Sequence, residues 1–123
     1  MAHQPGWIEL YEILERGAEP PPGLVATCRS SRTGLGETML HWYAIEGEPE
    51  VLRRLVALGF AVDVTNTFGR TPIMECAQIG RWDCAEVLRE AGADLTIRDD
   101  EGLDFFELLD EHLVTDRPAW ARR

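Results

Sequence analysis

Lysine is missing from this chain of 123 residues: all twelve of its bases are arginine. Loss of one basic residue type with retention of the other is what GC-rich coding produces, and it points to a high-GC bacterium. Long apolar runs are missing too. Nothing approaches the roughly 18 consecutive apolar residues of a membrane span, so no span is expected. The N-terminus has no basic run followed by an apolar core, so no secretory signal is expected and a cytoplasmic protein is. Cysteine is sparse and odd in number, at Cys28, Cys76 and Cys84, with no CxxC spacing. That excludes a self-contained disulfide framework and suits reduced thiols, with Cys76 and Cys84 as small core residues on facing helices.

Positive charge is scarce as well. Twelve bases against 22 acids give a formal charge of -10. Nucleic-acid phosphates require a basic footprint, so that partner class is excluded. An acidic balance favours a cationic protein partner, although it also serves solubility alone. Chemistry-bearing motifs are equally scarce. His3, His41 and His112 have no second ligand at a metal-binding spacing, and there is no glycine-rich phosphate loop, nucleophile elbow or Cys–His pair. No enzyme, cofactor or metal is expected.

What the sequence does have is a period. Gly36, Thr38, Ala44, Gly47, Leu55 and Gly59 recur as Gly69, Thr71, Ala77, Gly80, Leu88 and Gly92, each 33 residues on. Softer pairs fill the gaps: Leu40/Ile73, Glu50/Asp83, Val62/Leu95, Val64/Ile97 and Asn66/Asp99. The shared positions are ones with a backbone or packing role. Thr38 and Thr71 can cap short helices, Gly47 and Gly80 can end them, and Pro49 stands where a second helix can begin. Gly102 lies a further 33 residues beyond Gly69, with Asp104 in the capping place and Phe105, Phe106, Leu108, Leu109 and Leu113 as the apolar face of another helix. After Val114 the pattern fails, and Pro118 interrupts a regular second helix.

The stretch Gly69 to Ala93 resembles an ankyrin repeat, above all at Gly69, Thr71-Pro72, Ala77, Gly80 and Gly92-Ala93-Asp94. The 33-residue displacement equals the period of that family. The resemblance implies an all-α fold, an ankyrin-repeat solenoid of stacked helix-turn-helix units joined by hairpin-like turns. Residues 36–68 and 69–101 are the repeats, and 102–123 is an atypical C-terminal capping repeat. Upstream, residues 1–6 read as a frayed terminus. Residues 7–18 read as one capping helix, a half repeat ended by Gly17. Between them and the first repeat, 19–35 carries three consecutive prolines and reads as an extended finger, a basic spot through Arg29 and Arg32. Met39 and Tyr43 depart from the family's usual Pro and Ala.

By the same resemblance, His41 in Thr38-Met39-Leu40-His41 bonds backbone in the turns between repeats. The partner-binding surface falls on the turn tips and on late first-helix positions. Its candidates are Glu37, Phe68, Arg70, Asp100, Glu101 and Leu103 at the tips, with Leu35 and Thr67. On the helices they are Ile45, Glu46, Gln78, Ile79 and Glu111, with His112. Apolar Ile45, Phe68 and Ile79 within a rim of acids suit protein binding. Trp42 and Trp82 are expected to pack between helices. The function implied is a protein-binding module that masks a basic partner. The sharpest form is a bacterial immunity protein covering the active-site cleft of a toxin, as a monomer or partner-bound heteromer. A generic adaptor or regulatory subunit and a self-associating scaffold are the other readings.

Overall fold

The computed structural model describes residues 4–122, among which there are seven α-helices, one short 3-10 helix and no strand. The chain begins with a helix pair, α1 (Trp7–Glu15) and α2 (Pro22–Ser30). Here the sequence misleads. The finger expected to be extended over 19–35 holds α2 instead, and α1 is paired rather than a lone half repeat. The prolines precede the helix rather than occupy it. Pro21 is extended (φ -63°, ψ 137°) and Pro22 takes the first helical position, where a fixed φ is already helical and the missing N–H has no intrahelical partner to lose. Beyond Pro22, Val25 and Cys28 turn into the core. His3 lies outside the described residues.

Two further pairs follow at the 33-residue spacing: α3 (Met39–Glu46) with α4 (Pro49–Ala57), and α5 (Pro72–Gln78) with α6 (Trp82–Glu90). Last comes α7 (Phe105–Glu111). Each first helix starts on a side-chain cap. The Thr38 and Thr71 hydroxyls accept from the backbone N–H of His41 and Met74. Asp104 accepts from Glu107 N–H at 2.9 Å while the Glu107 carboxylate accepts from Asp104 N–H at 3.0 Å, a closed capping box. Such caps contribute about 1 kcal/mol each.

Packing makes two helical layers: α3, α5 and α7 form an inner row, α4 and α6 an outer one. Leu40, Ile73, Leu52, Leu55 and Leu88 are fully buried between them, each stabilising the fold by about 2 kcal/mol. Cys76 and Cys84 are buried here and free, as the sequence implies, and burial pushes the Cys84 thiol up to about 12. The α1–α2 pair closes one end, through contacts of α1 with α4.

The other end closes with aromatics. Past Pro118 the described residues form a 3-10 turn, Ala119–Ala121. Trp120 within it stacks on Phe105 (ring centroids 5.8 Å apart) and meets Trp82 edge-on at 5.9 Å, with the Arg89 guanidinium 5.0 Å from its ring. A single indole thus stands where a second helix would otherwise cover α7. One expectation fails nearby. Leu113 is not on the buried face of α7; it is 82% exposed, because the helix ends at Glu111 and Leu113 turns left-handed with φ 57°. It occupies the register place of Gly47 and Gly80, whose φ values are 83° and 80°.

Candidate functional site

The surface available for binding is built by three hairpin turns and the ends of the inner helices. Each hairpin is organised by one side chain, and these recur every 33 residues at Thr33, Asn66 and Asp99. Thr33 Oγ1 accepts from the N–H of Leu35 and Glu37, Asn66 Oδ1 from Phe68 and Arg70, and Asp99 Oδ1 from Glu101 and Leu103. Backbone closes each turn, with Asn66 N–H donating to Arg70 O and Asp99 N–H to Leu103 O, both at 2.9 Å. Sequence reading paired Asn66 with Asp99 but missed Thr33. The spacing signals it, and only the assignment of 19–35 to a finger hid it.

Neighbouring hairpins are then bonded side by side. Thr67 N–H donates to Leu35 O at 2.9 Å, and Asp100 N–H to Phe68 O at 3.0 Å. This close approach dictates glycine at the next position of each inner turn. A Cβ on Gly69 would lie 2.5 Å from Asp100 Oδ1 and 2.7 Å from Asp100 N, and one on Gly36 3.1 Å from Thr67 N. Gly102, in the last turn, has nothing within 4 Å.

The resulting row of tips presents Leu35, Phe68 and Glu101 in succession, with Leu35 52% and Phe68 50% exposed. Turn tips and helix ends share one face: Glu101 and Leu103 from the third turn and Glu111 and His112 from the end of α7 line one open recess of about 450 Å³. In the middle repeat the same link is a hydrogen bond, Arg70 Nη1 to Gln78 Oε1 at 3.3 Å. Of the residues expected on this face, Glu46, Phe68, Ile79, Asp100, Glu101 and Glu111 are exposed. Glu37, Ile45, Gln78 and Leu103 are half-buried. Glu37 accepts from the Thr33 hydroxyl at 3.1 Å, and Ile45 gives its carbonyl to Arg81 Nε at 3.1 Å.

Arg70 differs most from its expected role as a tip residue. Its side chain is only 17% exposed and lies among carboxylates, with Nε 3.3 Å from Asp99 Oδ2, Nη1 3.8 Å from Glu75 and Nη2 3.7 Å from Glu101. Asp99 is itself buried, so Arg70 supplies the charge its carboxylate requires there. Glu75 is pushed up by burial, against the opposing pull of its Asn66 hydrogen bond and of Arg70. Arg70 therefore ties the second turn to the third.

His41 does bond the turns. Its Nδ1 accepts from Thr38 N–H at 3.1 Å, which leaves Nε2 to carry the hydrogen and donate to Arg70 O at 2.9 Å. Burial lowers its pKa to about 4, against the opposing pull of that carbonyl, so the ring is neutral at neutral pH.

The run of acids from Asp99 to Glu111 is partly neutralised by arginines from outside it. Arg98 pairs with Glu107 at 2.7 Å and Arg117 with Asp110 at 2.6 Å, and Arg70 reaches Asp99 and Glu101. Asp100, Glu111 and Glu46 make no ion pair among the described residues. The face thus carries apolar Leu35, Ile45 and Phe68, with exposed Glu46 beside them, and becomes acidic at the exposed positions Asp100, Glu101 and Glu111. Trp42 and Trp82 are both half-buried and packed on the core.

Residues 10–99 match the family model described as ankyrin repeats (3 copies). Among curated proteins, inversin of zebrafish (Danio rerio) is 39% identical over 62 residues, which is 50% of this chain and 6% of that protein. The E3 ubiquitin-protein ligase KEG of Arabidopsis thaliana is 29% identical over 107 residues, 86% of this chain and 6% of its own length. The human transient receptor potential cation channel subfamily A member 1 is 28% identical over 75 residues, 61% of this chain and 7% of its own. The chain thus spans about one-sixteenth of the length of the first relatives it matches. No helix among the described residues is long and apolar enough to cross a membrane.

Proposed function

The chain belongs to the ankyrin-repeat family, whose repeats are protein–protein interaction modules, and on that premise we propose that its hairpin-and-inner-helix face binds and masks a cationic protein. The observation that carries this reading is the gradient along that face. Exposed Leu35, Phe68 and Ile79 supply apolar area near one end, while Asp100 and Glu111 supply charge that no ion pair among the described residues offsets at the other, beside Glu101. Apolar anchors give such an interface its energy, and the acidic rim speeds encounter with a basic partner and selects it. The net charge of -10 adds a field of the same sign over the whole molecule.

The most specific form of the proposal is an immunity protein. The acidic face would lie over the basic active-site cleft of a toxin and exclude its substrate. The composition supports it: the chain is acidic and lacks lysine, as in GC-rich bacterial coding. A generic adaptor or regulatory subunit uses the same face without silencing an activity.

Affinity capture of the tagged chain from its host, at low and at moderate salt, tests the reading. One basic protein retained near stoichiometrically, released by salt, and lost with Phe68→Ala/Ile79→Ala is the expected result. Silencing of that protein's activity on binding supports the immunity form. Capture unaffected by the double substitution, or recovery of the bait alone, overturns the proposal.

A further inference from the structure

One end of the inner-helix row carries a cleft that the 33-residue repeat does not account for. There α1 faces α3: the Tyr11 ring stacks on Tyr43 at 4.9 Å, and Trp7 tilts against Trp42 at 6.5 Å. Between the helices opens a space of about 290 Å³, lined by Ile8, Tyr11, Glu12, Trp42, Glu46 and Glu48, with Tyr43 beneath. Aromatic and carboxylate groups dominate it, and no arginine is among its lining residues within the described part of the chain. Arg81, whose Nε donates to the Ile45 carbonyl, lies outside that lining.

The cleft is built rather than incidental. The Tyr11 hydroxyl donates to Glu48 at 3.1 Å and shares its hydrogen with Glu15 at 3.2 Å. Burial first, and those two carboxylates next, push the Tyr11 pKa up to about 12, so the phenol remains a donor and holds Glu48 in place. Glu12 and Glu46 are exposed at the mouth and make no ion pair among the described residues. Ile8 is 48% exposed beside them. The volume falls just under the roughly 300 Å³ at which small-molecule pockets begin, so it suits a single long side chain.

We propose that this cleft receives an arginine side chain of the protein partner, its guanidinium lying against the Trp42 and Tyr11 rings and between the Glu12 and Glu46 carboxylates. This rests on the binding-module reading and names a contact within it. Guanidinium matches the site better than ammonium. It is planar, stacks on aromatic faces, is weakly hydrated and can pair two carboxylates at once. The aliphatic stem of the arginine would cover Ile8. The cleft thereby extends the acidic-and-apolar binding face onto α1.

The test titrates the full chain, followed by NMR at low salt, with N-acetylarginine amide and with N-acetylcitrulline amide, a neutral near-isostere. Saturable shifts confined to Ile8, Trp42 and Glu46 are expected, with the citrulline compound about fivefold weaker. Glu12→Gln/Glu46→Gln should weaken the arginine compound by a similar factor and leave the thermal midpoint in place. Shifts scattered over the acidic surface, equal binding of citrulline, or tighter binding of N-acetyllysine amide overturns the assignment. Failure to capture any partner removes the binding reading and this one with it. A captured partner whose affinity is unchanged by Glu12→Gln/Glu46→Gln removes the cleft alone.

Discussion

The imidazole Nε2 of His41, at the start of α3, lies 2.9 Å from the carbonyl oxygen of Arg70, 29 residues later in the second hairpin. One neutral ring thereby joins a helix of one repeat to the turn that opens the next. Arg70 extends the chain of contacts, because its side chain reaches Asp99 in the third turn. Helix α3 and two successive turns are linked through two residues.

That linkage makes stability depend on pH. The folded pKa of His41, about 4, lies below the ordinary value of 6.5, with burial the leading cause. The unfolded chain therefore binds this proton more readily. The contribution of His41 is complete above pH 6.5 and is lost as pH falls towards 4, amounting to on the order of 3 kcal/mol. In His41→Met, which copies Met74 at the matching place, the midpoint of urea unfolding should vary less over that pH range. At pH 7 the variant should be about 1–3 kcal/mol less stable, since the Arg70 carbonyl loses its donor. An unchanged pH profile would remove His41 from this role.

The two glycine substitutions Gly69→Ala and Gly102→Ala should differ sharply. Both residues are left-handed, with φ of 76° and 82°, so both variants bear about 1 kcal/mol of backbone strain. Only Gly69→Ala also drives a methyl group into Asp100, and it should lose at least about 2 kcal/mol more in urea unfolding, breaking the bond between neighbouring turns. Equal losses would mean that the hairpins do not depend on this close approach.

Leu113→Gly should stabilise the protein. Leu113 is exposed, so little packing is lost, and its left-handed backbone is released from a cost of about 1 kcal/mol. Part of that gain is offset by the greater entropy of glycine in the unfolded chain, which leaves a rise of a few tenths to about 1 kcal/mol. Thermal unfolding reads it directly, and a fall in midpoint would contradict the assignment of strain.

Asp99 separates shape from charge. Asp99→Asn keeps an oxygen for the N–H groups of Glu101 and Leu103, as Asn66 does in the preceding turn, and loses only the Arg70 pairing. Asp99→Ala loses both and should cost about 2 kcal/mol more than the asparagine variant. Chemical denaturation of both proteins decides this; equal costs would place the whole effect in the ion pair.

Reversing charge at Asp100, Glu101 and Glu111 to lysine should slow association with the captured partner by roughly tenfold at low salt, with a smaller effect on dissociation. Stopped-flow measurement at two ionic strengths separates the two rates. An unaltered association rate would remove electrostatic steering from the proposed mechanism.

Much of this architecture is legible in the residues because the repeat acts through backbone. Thr38, Thr71 and Asp104 start helices, Gly47 and Gly80 end them, and a constant spacing exposes both. What is not legible is where the spacing breaks. Three prolines can open a helix as well as prevent one, and only burial of Val25 and Cys28 decides for α2. Trp120 has no counterpart in the repeats, so its stacking on Phe105 depends on how the chain returns after Pro118. Arg70 sits at a tip position by register, yet three carboxylates brought together by folding draw its side chain inward. The α1–α3 cleft escapes for a related reason. One of its walls is α1, which stands outside the 33-residue register, so no repeat position predicts which side chains meet there.

The middle position of α5 has a consequence for motion. It is packed by α3 on one side and α7 on the other, whereas α7, among the described residues, packs chiefly on α5 and is met beyond it by the short Trp120 turn. In a molecule held by such nearest-neighbour contacts, opening the centre disrupts two interfaces and fraying an end disrupts one. Amide protons of α5 should therefore exchange last, and the molecule should breathe inward from its ends. The α1–α3 cleft and the acidic third turn both sit at those ends, so a ligand spanning them would clamp shut the parts of the chain most prone to open.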